Sequence, residues 1–118
     1  MKVLIIDDSS TMRRIEKTQL SAMGITEFVE ADNGQVGLEM LAANMPIDIV
    51  TLDVNMPIMD GMTCLREIRK KPEYNGVKVV MVTSESEKTR VIEAISAGAN
   101  NYVVKPFTPD VLKQKLGL

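Results

Sequence analysis

Lys2-Val3-Leu4-Ile5-Ile6-Asp7-Asp8 carries an apolar run that stops on two carboxylates, and this figure decides the fold. A short, continuously apolar run rich in Val and Ile is what a strand covered on both faces requires. The figure recurs three times. Ile49-Val50-Thr51-Leu52 ends on Asp53, Val77-Lys78-Val79-Val80-Met81-Val82 on Thr83, and Tyr102-Val103-Val104 on Lys105-Pro106. Helical patterns fill the intervals, and such alternation predicts βαβ units with right-handed crossovers. In an open parallel sheet, binding and chemistry gather beyond the carboxyl ends of the strands. Three carboxylates, a hydroxyl and an ammonium are therefore predicted to meet in one crevice.

Phe28-Val29, flanked by Glu27 and Glu30, is the weakest run and predicts an edge strand. A first helix is predicted over about residues 10 to 23, burying Met12, Ile15, Leu20 and Met23, with Gly24 as a left-handed stop. Asp32-Asn33-Gly34 signals a turn and cap ahead of a second helix over about 34 to 43. A third follows Asp60-Gly61, buries Met62, Leu65 and Ile68, and ends near Lys71-Pro72. A fourth runs from about Ser86 to Ala97, burying Val91, Ala94 and Ile95 before Gly98. A short fifth helix begins near Thr108-Pro109, where proline suits the first helical position.

The chain has 118 residues, enough for one domain with its own core. A single cysteine, Cys64, excludes an internal disulfide and fits a reducing, cytoplasmic setting. The amino terminus lacks a signal-peptide pattern, and no run is long enough to span a bilayer. A net charge of −2 leaves no broad basic footprint for nucleic acid. The absence of histidine removes Ser-His-Asp catalysis, histidine-ligated metals and phosphohistidine on this chain. Its nine methionines fall mostly at helical spacing and read as core filler.

Chemistry at the acid cluster must therefore use oxygen ligands and lysine. Asp7, Asp8 and Asp53 on neighbouring strands would raise one another's pKa unless positive charge intervened. A divalent cation answers this, and magnesium takes a couple of carboxylates, several waters and phosphate oxygens. Lys105, set by Pro106 in a bond that can adopt the cis form, can reach an oxygen of Asp53 or of a phosphoryl group on it. Thr83 offers a hydroxyl to the same group. Phosphoryl transfer asks mainly for positioning and positive charge, which metal and Lys105 provide; the nucleophile would be the Asp53 carboxylate, giving an acyl phosphate. Taken singly, each of these residues reads as a turn or cap residue; their coincidence at four strand ends carries the functional reading. Pro57, in turn, holds Met56 extended and bends the loop after Asp53.

These residues, with Asp53-Val54-Asn55-Met56-Pro57-Ile58-Met59-Asp60-Gly61 and Lys105-Pro106-Phe107, make the chain resemble the receiver domain of bacterial two-component response regulators over essentially its whole length. The stretches Ser10-Thr11-Met12-Arg13-Arg14-Ile15 and 101 to 108 look most like stand-alone chemotaxis regulators. The resemblance implies a flavodoxin-like α/β fold, a doubly wound five-stranded parallel sheet of order 2-1-3-4-5 with five helices. It implies Asp53 as the phosphorylated residue, Asp8 and Asp53 as magnesium ligands, Asp7 acting through water, and the main-chain oxygen of Asn55. Thr83 and Tyr102 match the switch pair, Lys105 the phosphoryl-contacting lysine, and Asn55 and Glu85 the positions that tune acyl-phosphate lifetime. The implied partners are a histidine kinase as donor, a flagellar motor switch protein as output and a phosphatase, with the protein itself a monomer that binds neither nucleic acid nor membrane. Lys88, Ile92, Tyr102 and Lys115 are the candidate output contacts, with a solvated charged face as the competing reading for the two lysines.

The implied switch has a physical logic. Phosphorylation adds about −1.5 to −2 charges and three acceptor oxygens, which draw the Thr83 hydroxyl inward and open space for the Tyr102 ring. Reversing a hundredfold preference takes roughly 5.5 kcal/mol of differential stabilisation. One charge-assisted hydrogen bond contributes about 1.5–3 kcal/mol, so several contacts must act together.

Other functions remain in view at this level. A phosphorelay intermediate would return its phosphoryl group to a histidine phosphotransferase. The last helix, ending at Leu116-Gly117-Leu118, is short for the family, and the chain could be the receiver portion of a larger regulator. An aspartate-nucleophile phosphatase needs a second acid two residues after the nucleophile, where this chain has Asn55. A flavodoxin needs phosphate donors after the first strand, where this chain has acids.

Overall fold

The computed structural model describes residues 1–84 and 89–118. Five strands, β1 (Lys2–Ile6), β2 (Glu27–Ala31), β3 (Ile49–Asp53), β4 (Lys78–Thr83) and β5 (Asn101–Val104), form one parallel sheet in the order β2-β1-β3-β4-β5. The connecting helices are α1 (Ser10–Ala22), α2 (Gly34–Ala43), α3 (Gly61–Arg69), α4 (Val91–Ser96) and α5 (Pro109–Leu116). This is the doubly wound, flavodoxin-like architecture, with the chain reversing direction across the sheet between β1 and β3.

The two-residue period of the strands divides the core into two layers. Val3, Ile5, Ile49, Val80, Val82 and Val103 face Leu20 of α1 and Leu112 and Leu116 of α5. Leu4, Ile6, Val50, Leu52, Val79 and Met81 face Leu41 of α2 and Leu65 and Ile68 of α3. β3 is the middle strand, bonded to β1 on one side and β4 on the other, with Ile5 opposite Thr51 and Asp53 opposite Val82. β2 lies at the edge, as its short apolar run predicts.

Polar residues start the helices. Ser9, Asn33, Asp60 and Thr108 each accept a bond from the amide three residues on, which satisfies one of the donors that a helix start leaves orphaned. Pro109 occupies the first turn of α5, and Gly24, with φ +94°, follows α1 in the left-handed region. Among the described residues, no helix is long and apolar enough to cross a membrane.

Two expectations are corrected and one boundary is sharpened. Ile15 is 40% exposed, and the buried stripe of α1 is carried by Glu16 and Leu20 instead, one turn apart. Hydropathy places Ile15 inside, because nothing in the local pattern marks a glutamate as buried. Ile95 is 45% exposed, since α4 turns Ala94 to the core and both Ile92 and Ile95 outward. α3 ends at Arg69, and a 3-10 turn over Pro72–Tyr74 follows, burying Tyr74. The described part of α4 begins at Val91; its predicted start at Ser86 lies outside the described residues. Of the methionines, Met62 and Met81 are fully buried and Met1 and Met45 are exposed.

Candidate functional site

Asp7 and Asp8 leave the end of β1, and Asp53 closes β3 beside it, so strand order alone brings the three carboxylates together. One oxygen from each lies within 4.8 Å of the others. Asp7 and Asp53 are buried and Asp8 is exposed, giving a pocket that is open on one side. Lys105, which follows β5, reaches across with its Nζ 3.2 Å from Asp7 Oδ2 and 3.2 Å from Asp53 Oδ1. The peptide bond from Lys105 to Pro106 is cis.

Backbone donors fix the carboxylates. The Ser9 amide donates to Asp7 Oδ1 at 2.9 Å, and the Val54 amide donates to Asp53 Oδ1 at 2.9 Å. Arg13 donates from Nη1 to the Asp7 carbonyl at 2.6 Å and from Nε to Glu30 at 3.0 Å, tying the first turn of α1 to both β1 and β2. Behind Asp53, the loop folds back so that the Gly61 amide donates to the Val54 carbonyl at 2.8 Å. A Cβ at Gly61 would run into the Asp53 carbonyl, so the start of α3 needs a glycine there. Between them, the Met59 amide donates to the Pro57 carbonyl at 2.7 Å around Ile58, whose φ is +68°. A β-branched residue in that region is strained, and Ile58 is also 83% exposed.

The electrostatics follow from three acids sharing one ammonium. Burial, and then the negative charge of Asp7, pushes the Asp53 carboxyl up to about 6, while Lys105 pulls it back. Burial weakens the Lys105 ammonium, but Asp53 and Asp7 outweigh that and raise its pKa. The pocket is thus short of positive charge, and its donors are hard oxygens. That set fits a divalent cation of the magnesium type and would not suit a soft metal.

Thr83 is buried at the end of β4; its carbonyl accepts the Lys105 amide at 2.7 Å and its hydroxyl donates to the Ser84 carbonyl at 3.0 Å. Asn55 is exposed on the loop after Asp53. Tyr102, half-buried on β5, lies under Lys115, whose Nζ is 4.8 Å from the ring centroid. Ile92 is 78% exposed. Glu85 and Lys88 lie outside the described residues. Cys64 is buried, and burial raises its thiol to about 12, which makes it inert.

Sequence reasoning did not assign supporting roles to Ser9, Arg13 and Gly61. Ser9 carried a readable signal as a cap. Arg13 carried none, because its partners are fixed only once β1 and β2 pair.

Residues 3–117 match the family described as response regulator receiver domain. Over 116 residues, 98% of this chain, it is 45% identical to a chemotaxis protein CheY homolog of Campylobacter jejuni, covering 89% of that protein. It is 46% identical to the chemotaxis protein CheY1 of Helicobacter pylori over 98% of this chain and 94% of that one. For the Pseudomonas aeruginosa chemotaxis protein CheY the identity is 47%, with 98% and 93% covered. Among solved structures, the Vibrio cholerae chemotaxis protein CheY4 superposes with a TM-score of 0.88 at 31% identity, covering 98% of this chain and 95% of that one.

Proposed function

The chain belongs to the response regulator receiver domain family, and on that premise we propose that it accepts a phosphoryl group from a histidine kinase on Asp53 and thereby switches its affinity for an output partner. The observation that carries this reading is the Lys105 ammonium set 3.2 Å from Asp53 Oδ1, at the open acid pocket where an incoming phosphoryl group would need positive charge. An Asp53 oxygen attacks phosphorus as the bond to the donor histidine nitrogen breaks. The nitrogen keeps the electron pair, and the product is an acyl phosphate.

Asp8 and Asp53, with Asp7 through water and the Asn55 main-chain oxygen, would hold magnesium, which when bound supplies positive charge to the phosphoryl oxygens. The protein's own groups do the rest. Lys105 takes an oxygen of the new group, and the Thr83 hydroxyl exchanges its bond to Ser84 for another. Tyr102 moves into the space that Thr83 leaves. Asn55 and Glu85 set the lifetime of the acyl phosphate.

Output is assigned to the face of α4, β5 and α5, through Lys88, Ile92, Tyr102 and Lys115. The exposure of Ile92 and the stacking of Lys115 on Tyr102 support this assignment. The names of the curated relatives favour chemotaxis. On this reading the output partner is a flagellar motor switch protein, and the chain acts in the cytoplasm as a monomer. A labelled histidine kinase should pass its phosphoryl group to the wild type in magnesium. Asp53→Asn should accept none, and hydroxylamine-sensitive label retained on that variant would overturn the assignment. Enrichment of motor-switch protein by the beryllofluoride-treated chain tests the output. A chain that instead returns its label to a histidine phosphotransferase would be a relay carrier.

A further inference from the structure

Glu16 is 1% exposed, a carboxyl on the sheet-facing side of α1 in the layer that is otherwise built from Leu20, Ile49, Val82 and Leu112. Its Oε1 has no hydrogen-bond partner, and neither has the Oγ1 of Thr51. Thr51 shares its strand face with Ile49 and stands two residues before Asp53, so this polar pair lies just beneath the acid pocket.

The groups acting on Glu16 come from the strand ends. Burial raises its pKa to about 7; the neighbouring Thr51 hydroxyl, close to the carboxyl but forming no hydrogen bond with it, lowers it, Asp7 raises it, Lys105 lowers it and Asp53 raises it. From α5, which packs on α1, Asp110 and Lys113 are exposed and Lys115 lies over Tyr102. On its own helix, Arg13 and Lys17 are engaged by Glu30. The carboxyl is therefore close to even balance between its neutral and charged forms near neutral pH, and charge added to the pocket tips it.

We propose that Glu16 is a proton-linked positioning residue for the pocket's divalent cation: as the cation enters, the buried carboxyl gives its proton to solvent, and cation affinity rises with pH as that proton leaves. The O–H bond of Glu16 breaks, the buffer takes the proton, and the carboxylate keeps the electron pair. The new negative charge stands behind Asp7 and Asp53 and offsets the repulsion that Lys105 exerts on the ion. The inference rests on the reading that the pocket takes such an ion.

Magnesium chloride alone, titrated calorimetrically into the whole chain in two buffers of different ionisation enthalpy, counts the protons released. Wild type, Glu16→Gln and Glu16→Val are compared, the valine keeping the site filled with an apolar group. Asp53 contributes its own proton in all three, and because it is coupled to Glu16 its midpoint is followed by carboxyl carbon NMR in each protein and its share subtracted. Near pH 7 the wild type should release roughly half a proton more per ion than either variant. Its affinity advantage should be absent near pH ~5.5 and grow to about three- to tenfold near pH ~8.5. Equal proton counts, or an advantage that does not change with pH, would overturn the inference while leaving the cation reading intact. Absence of binding in all three proteins would overturn both. Carboxyl carbon NMR of the wild type gives a reading independent of the variants: the Glu16 resonance should titrate near neutrality without the ion and at lower pH with it. A resonance that titrates in the ordinary glutamate range, or that magnesium does not move, overturns the proposal.

Discussion

The backbone amide of Lys105 donates to the carbonyl of Thr83 at 2.7 Å, so the two residues assigned to read the phosphoryl group are joined through the main chain before either touches it. Lys105 then points its ammonium at Asp53, and Thr83 points its hydroxyl at Ser84. Replacing Lys105 by methionine keeps this main-chain bond and removes only the charge. Because Lys105 holds the Asp53 carboxyl down, its loss should move that midpoint about one unit above its present value near 6, read by carboxyl carbon NMR without magnesium. An unchanged midpoint would mean that the ammonium does not bear on the acceptor.

Asp53 weakens the metal-free protein at neutral pH. A carboxyl raised from 3.8 to about 6 costs nothing below the lower value, progressively more between the two, and its full penalty above the upper one. Asp53→Asn should therefore be about 1–2 kcal/mol more stable than the wild type near pH 7 in chelator, and level with it near pH ~3.5, by urea denaturation.

Glu16 contributes to the same slope over a different window. Its rise from 4.5 to about 7 makes the folded state lose stability as pH climbs through that interval. Glu16→Val should gain on the order of 2–3 kcal/mol relative to wild type between pH ~4.5 and ~8, since an apolar side chain suits the buried layer. Parallel stability curves for the two proteins would contradict this.

Gly61→Ala should cost about 1–3 kcal/mol, because its methyl meets the Asp53 carbonyl, a backbone atom on the middle strand that has little room to yield. The loss of stability should be accompanied by weaker magnesium binding, as the same displacement moves the acceptor. Full stability and full affinity together would refute the contact.

Ile58→Gly should act the other way. Ile58 gains little from burial at 83% exposure and bears a left-handed backbone that favours glycine. Relief of about 1–2 kcal/mol of strain, less the entropy that glycine adds to the unfolded chain, should leave a gain of roughly 0.5–1 kcal/mol in thermal or urea unfolding.

Four strands were legible because their apolar runs are cut off by a charged or hydroxyl side chain, and those same residues make the pocket. Asn33 and Thr108 announced their helices because a cap acts within three residues of itself. What stayed hidden depends on partners far along the chain. Arg13 finds the Asp7 carbonyl and Glu30 only after two strands pair, and Gly61 looks like an ordinary helix start until the Asp53 carbonyl is placed beside it. The exchange of Ile15 for Glu16 in the buried stripe has the same origin. Hydropathy ranks the isoleucine higher, and only the turn of α1 against the sheet ranks the glutamate deeper.

Asp53 stands at the tip of the strand with two neighbours on either side, laddered to both β1 and β4. The amides of that strand should be the slowest in the molecule to take up deuterium, since opening them means parting the sheet down its midline. Whatever the pocket receives thus lands on an anvil, and the give must come from the loops around it.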